Sequence, residues 1–421
     1  MKKLKLFIPL FVICGMLIFI VACSQPDKPA SSGSEGANTS EPTEQVGAES
    51  AQNEEVDNSK IIPAKEWADA HPKEYETFMM NKDISLDYPG APETRDYLTT
   101  YPALETIYKG SKYDIEYTVP RTHYYTLDTV INTARPKATA ACLNCKTADY
   151  MIAEQNMGEA LYTADFMEVA STFTNDITCY DCHGNQPGVI NVLRSSFNRA
   201  MDKFDMQVDD KVLACGQCHN EYYFSEETGE VVHPYVYGSD PDSVLKYYNE
   251  INHVDFVQPD TGIGLIKVQH PEYETFTNNS PHFLAGLSCV DCHMSHQQEY
   301  TSHYWTTPFK DTSILKGTCL KCHSSSEEQE LVDTVNQMQA DSNARVTKIS
   351  EELEQLTLTI AQNKANYDAD TWAQISSKYR DAQFYWDFVF VENSDGFHNS
   401  QHAKDCFDKS EALIAELKDL V

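Results

Sequence analysis

The chain has 421 residues and a formal net charge of −32, from 64 acidic and 32 basic side chains. So large an excess of negative charge argues against a protein that binds nucleic acid, whose phosphates recruit lysine and arginine. Ten of the thirteen cysteines fall into five Cys-x-x-Cys pairs, so a disulfide framework is not needed to explain them.

The first residues have the features of a bacterial export signal. Three lysines among the first five residues precede an apolar run from Leu6 to Ala22, which is the layout of a signal peptide. The run ends in Ile20-Val21-Ala22-Cys23, which resembles the lipobox of bacterial lipoproteins. We therefore predict a lipoprotein-type signal peptide over residues 1–23 and a protein on the outer face of the cytoplasmic membrane or in the periplasm, anchored through an acylated Cys23. Ordinary cleavage and an uncleaved membrane anchor are the alternatives.

Residues 24–60 are rich in Ser, Glu, Asn, Gly and Pro and contain almost no bulky apolar side chains. A segment of this composition cannot bury enough surface to offset the entropy lost on ordering, so we predict a disordered tether. The rest of the chain is expected to form one structural unit. It comprises a region over 61–324 that carries the cysteine pairs and a C-terminal helical region over 325–421.

Five cysteine pairs share the same spacing, and in four of them a histidine follows the second cysteine. Cys-x-x-Cys-His is the attachment sequence of haem c, in which the thiols bind the haem covalently and the histidine binds the iron from one face. A zinc site does not need a histidine after every second cysteine, and a thioredoxin-like motif would occur once. The sequence therefore predicts five covalently bound haem c groups, attached through Cys142, Cys145, Cys179, Cys182, Cys215, Cys218, Cys289, Cys292, Cys319 and Cys322.

The first motif differs from the others because Lys146 stands where the other four have His183, His219, His293 and His323. A lysine must lose its proton to bind iron, and burial beside the metal lowers its pKa enough to allow this. An amine is also a different donor from an imidazole. We therefore expect four haems that relay electrons and one, at Lys146, where chemistry takes place.

The interval between His219 and Cys289 is about twice as long as the other intervals between motifs. It contains Asn220-Glu221-Tyr222-Tyr223-Phe224 and Lys267-Val268-Gln269-His270. Because this extra chain attaches no haem of its own, we expect it to build the substrate pocket.

The C-terminal region has neither Gly nor Pro from Thr318 to Asp395. Apolar residues from Leu331 to Ile360 follow a three-four spacing and predict a long amphipathic helix, with Ser325-x-x-Glu328 as a capping box at its start. A break is predicted over Asn366–Asp370, with a second helix from about Thr371. These helices can pack within the chain or form a dimer seam, and the sequence leaves both alternatives open. Cys406 is expected to be a buried or inert thiol.

One haem motif ending in lysine, followed by four ending in histidine, resembles the ammonia-forming cytochrome c nitrite reductases, a family of pentahaem cytochromes c552. The resemblance covers most of Trp67 to His402. It implies a mostly α-helical multihaem cytochrome c with a haem-packed core, a homodimer with the long C-terminal helices at the interface, and calcium beside the active haem. It also implies six-electron reduction of nitrite to ammonium, with hydroxylamine and sulfite as further substrates and a membrane quinol-oxidising multihaem cytochrome as electron donor. A non-enzymatic multihaem electron-transfer conduit is the alternative function.

The resemblance also assigns a second, distal ligand to each of the four histidine-ligated irons. Two of the assignments have competitors, because His296 lies near His303 and His402 lies near His398 in the sequence. The assigned distal ligands are His123 for the third haem, His282 for the fifth, His303 for the second and His398 for the fourth.

By the same resemblance, Arg135, Tyr222 and His270 are the catalytic residues beside Lys146, with Arg121 as the alternative to Arg135. A small anion needs local positive charge on so acidic a chain, and Arg135 and a protonatable His270 are expected to supply it. Histidine and tyrosine are also suited to proton delivery. The expected calcium ligands are the Glu221 carboxylate, the Gln269 side-chain oxygen and the backbone carbonyls of Tyr222 and Lys267.

Overall fold

The computed structural model describes residues 56–92 and 94–421. The signal peptide and most of the tether therefore lie outside the described residues. Residues 55–421 form one structural unit, and the mostly α-helical fold implied by the resemblance is confirmed. No helix of the described residues has the length and apolar character of a membrane span.

Fifteen short α-helices precede the C-terminal region in the described part of the chain. They are α1 (Pro72–Met79), α2 (Tyr97–Thr100), α3 (Leu104–Ile107), α4 (Thr126–Asn132), α5 (Asp149–Met157), α6 (Phe166–Ala170), α7 (Cys179–His183), α8 (Ser195–Lys203), α9 (Asp210–Gly216), α10 (Pro241–Glu250), α11 (Glu272–Thr277), α12 (Pro281–Leu284), α13 (Cys289–His293), α14 (Thr312–Ile314) and α15 (Leu320–Cys322). Single turns of 3₁₀-helix lie between them at Ala64–Trp67, Met80–Lys82, Lys112–Asp114, His123–Tyr125, Ala140–Leu143 and Gly158–Leu161, and a π-helical turn lies at Leu315–Cys319.

Two antiparallel ribbons interrupt the helices within the long interval between the third and fourth motifs. Strand β1 (Tyr223–Phe224) pairs with β2 (Val231–Val232), and β3 (Phe256–Val257) pairs with β4 (Gly264–Leu265). The turn between β3 and β4 passes through Gly262, whose φ of +80° is a left-handed conformation that favours glycine. The ribbons fix both expected catalytic segments, since β1 begins directly after Tyr222 and β4 ends two residues before Lys267.

Three long helices form the C-terminal region: α16 (Glu328–Asn363), α17 (Ala369–Phe390) and α18 (Ser400–Leu420). A 3₁₀ turn at Lys364–Asn366 separates α16 from α17, where Asp368 caps the new helix by accepting a hydrogen bond from Thr371 N at 2.8 Å. The break is close to its predicted position. The predicted capping box is wrong, because Glu327 occupies the N-cap of α16 and no side chain caps it.

The largest apolar core lies among these three helices. It includes Ile349 and Leu353 of α16, Trp386 of α17, and Cys406 and Phe407 of α18, all buried. The apolar stripe of α16 is therefore buried by packing within the chain, which was one of the two alternatives. The prediction that Cys406 is a buried thiol is confirmed. A dimer seam on the outer faces of these helices stays a prediction.

The end of the predicted tether is bound to the second haem motif. The Asn185 side-chain amide donates hydrogen bonds to the carbonyls of Asp57 at 2.6 Å and Lys60 at 2.7 Å. Asn58 accepts from Asn185 N at 2.9 Å and from the Tyr180 hydroxyl at 2.6 Å. Residues 57–60 therefore belong to the folded unit, and the boundary expected at residue 60 lies too late in the chain.

Candidate multihaem and catalytic site

Capping boxes fold two of the Cys-x-x-Cys-His motifs into single helical turns. In α7 the side chains of Thr178 and Asp181 bond reciprocally to each other's backbone, and Ser288 and Asp291 do the same in α13. In each motif the acidic residue stands directly before the second cysteine. On a helix, residues three and four apart share one face. The turn therefore presents both thiols and the histidine on the same side, as attachment of one haem requires.

Facing histidine rings lie at three of the four histidine-ligated sites. A metal bound about 2 Å from each of two imidazole nitrogens separates the ring centres by about 6 Å. The observed separations fit an iron atom between the rings: 5.8 Å for His123 and His219, 6.0 Å for His183 and His303, and 6.0 Å for His293 and His398. The fourth expected pair is His282 and His323. Burial and then the charge of His323 lower the pKa of His282, so His323 is among its neighbours.

The second ring nitrogen of several of these histidines is held by an oxygen acceptor. A backbone carbonyl or a carboxylate fixes Nδ1 as the donor, which leaves the Nε2 lone pair free for a metal. This second contact is typical of histidines that bind metals. The observed partners are Val189 O for His183 at 2.8 Å, Thr306 O for His293 at 3.0 Å, Thr301 O for His303 at 2.9 Å, Glu272 for His219 at 3.5 Å and Glu392 for His398.

The two competing histidines are placed differently. Both ring nitrogens of His296 are engaged, Nε2 with Asp291 and Nδ1 with Thr301, each at 3.2 Å. His402 packs on the Phe388 ring, with 5.7 Å between ring centres. Neither histidine faces the ring of a motif histidine in the way that His303 and His398 do, so the geometry favours the original assignments.

The first motif lies beside the residues expected to be catalytic. It begins on the 3₁₀ turn Ala140–Leu143, and the Lys146 carbonyl accepts a hydrogen bond from the Thr126 hydroxyl at 2.7 Å. The His270 ring lies against the third motif, with 6.1 Å between its centre and that of His219. Burial raises the pKa of Tyr222 well above its usual range. The Gln269 N–H donates to the Glu221 carboxylate at 2.6 Å, so the segments that carry His270 and Tyr222 adjoin each other although they lie far apart in the chain.

Arg135 approaches the same place from the other side. Its guanidinium lies over the Tyr113 ring, 4.9 Å from the ring centre, and its Nε donates to the Thr133 hydroxyl at 3.3 Å. Burial is the largest cause that raises the pKa of Tyr113, and the charge of Arg135 opposes it. The face of the Tyr113 ring therefore supports the Arg135 guanidinium.

Arg121, the alternative to Arg135, is engaged within its own segment. It forms an ion pair with Asp128, donates from Nε to the Thr129 hydroxyl at 3.0 Å and stacks on the Tyr125 ring at 4.8 Å. These contacts hold its charge beside a carboxylate. The geometry therefore favours Arg135 as the cation of the pocket.

Burial disfavours the charged form of His270. It is the largest cause that lowers the pKa of this imidazole to about 3, against the opposite effect of Glu272. The imidazole is therefore neutral at pH 7. Arg135 is left as the positive group of the pocket, and His270 as a neutral hydrogen-bonding group.

Most of the expected calcium ligands meet in one hydrogen-bonded network. The Glu221 carboxylate is completely buried and accepts from the Tyr248 hydroxyl at 2.8 Å and from Gln269 N at 2.6 Å. The Gln269 side-chain amide donates to the Lys267 carbonyl at 2.6 Å. Calcium binds hard oxygen donors of these kinds. The described residues contain no cluster of three or more His, Cys, Asp or Glu that could hold a metal.

Residues 63–417 match the family model described as Cytochrome c552. The chain belongs to this family. Five c-type haems are the cofactors of the family, and the five Cys-x-x-Cys pairs of this chain provide their attachment sites. The cysteine assignments therefore rest on family membership as well as on spacing.

Two curated relatives and one solved structure illustrate the family. A cytochrome c-552 of Maridesulfovibrio salexigens is 28% identical over 79% of this chain and 70% of its own length. The cytochrome c nitrite reductase subunit NrfA of Nitratidesulfovibrio vulgaris is 28% identical over 87% of this chain and 78% of its own. The catalytic subunit of the Desulfovibrio desulfuricans nitrite reductase, a structure described for its two calcium sites, superimposes with a TM-score of 0.77 at 25% identity, over 87% of this chain and 86% of that one.

One residue at the centre of the haem region escaped the sequence analysis. Arg194 is completely buried, donates from Nη1 to the Thr147 carbonyl at 3.0 Å and forms an ion pair with Asp181. Its backbone N donates to the Gln217 side-chain oxygen at 3.0 Å. It thus joins the first, second and third motifs of this family member. Nothing in the sequence singled it out, because it follows the second motif by eleven residues and belongs to no pattern.

Proposed function

We propose that this protein reduces nitrite to ammonium at the Lys146 haem, while four haems held between histidine pairs relay the electrons. The observation that carries the proposal is the contrast between the sites. Histidine rings lie about 6 Å apart at three of the proposed relay sites, whereas the first motif carries Lys146 in place of a histidine, with Tyr222 and His270 nearby. The similarity to a protein named as a nitrite reductase subunit supports the same reaction.

The reaction consumes six electrons and eight protons for each nitrite and releases ammonium and two waters. Cys142, Cys145 and Lys146 would hold the haem of this site, which would supply the iron and the electrons. Arg135 attracts and orients the anion. Tyr222 stays protonated at pH 7 because burial raises its pKa, so its hydroxyl is a donor at the pocket. The neutral imidazole of His270 adds a second hydrogen-bond donor, and it can relay a proton by releasing its N–H proton while the other ring nitrogen takes one up, so that the protons come from solvent.

We also propose that calcium binds at Glu221, Tyr222, Lys267 and Gln269 and fixes the two catalytic segments. The Glu221 carboxylate and the carbonyl and amide oxygens of this network fit a calcium shell. The calcium sites of the Desulfovibrio desulfuricans enzyme are in accord with this. Glu221→Gln should lower the calcium content of the purified protein and its kcat. Glu226→Gln, an exposed carboxylate in the adjoining ribbon, should change neither, and equal calcium loss in both variants would refute the assignment.

Three further elements complete the proposal. Acylation of Cys23 would hold the enzyme at the outer face of the cytoplasmic membrane, with residues 24–56 as a tether. The outer faces of the long C-terminal helices would form a homodimer interface. A membrane quinol-oxidising multihaem cytochrome would donate the electrons, as the resemblance implies.

Steady-state turnover with a dye donor tests the central claim, with ammonium measured as product. Wild-type protein should form ammonium from nitrite and should show a high-spin ferric signal beside low-spin ones. An electron-transfer conduit would need two axial ligands on every iron, so that every iron is low-spin. Low-spin signals alone, with no ammonium formed from nitrite, would therefore favour the conduit. Lys146→His should keep all five haems by mass spectrometry, because it creates an ordinary Cys-x-x-Cys-His motif, while changing the high-spin signal.

A further inference from the structure

A buried carboxylate on α17 lies behind the catalytic segment Lys267–His270. Asp387 has no exposed surface, and its two oxygens accept hydrogen bonds from four donors that come from three parts of the chain. Two of these donors belong to the segment itself. The donors are Lys267 Nζ at 3.2 Å, Val268 N at 3.0 Å, Gln383 Nε2 at 3.3 Å and the Tyr108 hydroxyl.

The Lys267 ammonium is enclosed together with this carboxylate. Its Nζ lies 3.2 Å from each Asp387 oxygen and donates to the Val268 carbonyl at 2.7 Å. Only 3% of the Lys267 residue is exposed, so the ion pair is closed to solvent. Three tyrosine rings surround the ammonium, with 5.0, 5.1 and 5.6 Å to the ring centres of Tyr108, Tyr113 and Tyr117.

Hydrogen bonds connect this ion pair to the two residues directly before His270. Val268 is fixed through its N–H by Asp387 and through its carbonyl by Lys267. Gln269 is fixed through its N–H by Glu221 and through its side chain by the Lys267 carbonyl. His270 is the next residue, so its backbone position is determined by bonds on both preceding residues.

We propose that Asp387 and Lys267 are positioning residues that hold His270 toward the Lys146 site. The pair ties the catalytic segment to α17 and so makes the C-terminal helices part of the catalytic framework. Breaking one partner of a buried ion pair leaves an unpaired charge, whereas replacing both partners by neutral groups is much better tolerated. The inference rests on the proposed function for the role of His270.

The test compares Asp387→Asn, Lys267→Gln and the double variant with wild type, all as haem-loaded protein. Each single variant should lower kcat for nitrite by about tenfold to a hundredfold, the scale expected when a catalytic group is displaced by about 1 Å. KM should stay within about twofold, because Arg135 lies on another segment. The double variant should recover most of the lost kcat. Asp381→Asn, a carboxylate on the same helix that binds Asn249 at 3.2 Å, is the matched control and should keep wild-type kinetics.

Hydrogen exchange at the Val268, Gln269 and His270 amides provides a readout independent of turnover. Both single variants should exchange faster at these amides than wild type, and the double variant should be slower than either single one. Unchanged exchange in the single variants, or losses that simply multiply in the double variant, would overturn the inference. If wild type forms no ammonium, the proposed function fails, while the exchange data still decide whether the pair fixes the segment.

Discussion

Tyr113 should control how well the pocket captures its anion, because it supports the Arg135 guanidinium. The cation lies 4.9 Å from the ring centre, and its Nε has a single longer bond to Thr133 at 3.3 Å. A cation–π contact contributes about 0.5 kcal/mol at exposed sites and about 2 kcal/mol when desolvated. Since Arg135 is half-buried, loss of the ring in Tyr113→Leu should raise KM for nitrite by about twofold to thirtyfold.

The assay is nitrite turnover with a dye donor over a range of nitrite concentrations. Tyr113→Phe keeps the aromatic face and should stay within about twofold of the wild-type KM. Tyr97→Leu serves as the packing control, because Tyr97 lies in the same aromatic cluster, 4.9 Å from Tyr117, without stacking on Arg135. The high-spin ferric signal should persist in all three variants.

Two results would refute this reasoning. If Tyr113→Phe raised KM as much as Tyr113→Leu, the hydroxyl rather than the ring face would support the pocket. If Tyr97→Leu matched Tyr113→Leu, the effect would come from general loosening of the cluster. An unchanged KM in Tyr113→Leu would mean that Arg135 does not bind the substrate.

Three further predictions concern the pocket, the haem junction and the anchor. His270→Ala should lower kcat by about a hundredfold with the high-spin signal intact, whereas Arg135→Ala should also raise KM; near-wild-type turnover in both would place the pocket elsewhere. Arg194→Met leaves the Asp181 carboxylate buried without its partner and should lower the free energy of unfolding by about 3–5 kcal/mol. Denaturant unfolding should then have its midpoint at a lower denaturant concentration, and an unchanged midpoint would contradict this. Cys23→Ala should release the protein from the membrane fraction without altering its haem spectrum, and continued retention would contradict lipid anchoring.

Local patterns made the haem motifs and the long helices predictable from the sequence. Cys-x-x-Cys-His places all three haem contacts within one helical turn, so neighbouring residues alone define it. The three-four apolar spacing of α16 likewise depends on residues within one helix. The start of that helix was misjudged because the expected cap, Ser325, lies two residues before the observed N-cap position, Glu327, whose side chain makes no capping bond.

Contacts between segments that lie far apart in the chain could not be predicted from the sequence. Lys267 and Asp387 are 120 residues apart, and no local pattern connects a lysine in an irregular segment with an aspartate in a helix. The charge state of His270 depends on a related feature. Burial lowers the pKa of its imidazole, and burial is not visible before the chain is folded.

The buried cations Arg194 and Lys267 and the half-buried cation Arg135 differ in the groups that surround them, and the difference would make Arg135 the one suited to bind substrate. Arg194 is paired with Asp181 and Lys267 with Asp387, so each positive charge is cancelled within hydrogen-bonding distance. The partners of Arg135 are a tyrosine ring and a threonine hydroxyl, which orient the guanidinium without neutralising it. A cation held in this way keeps its attraction for an incoming anion. The paired cations would stabilise the framework around the haems, and the charge of Arg135 would remain for the proposed binding of nitrite.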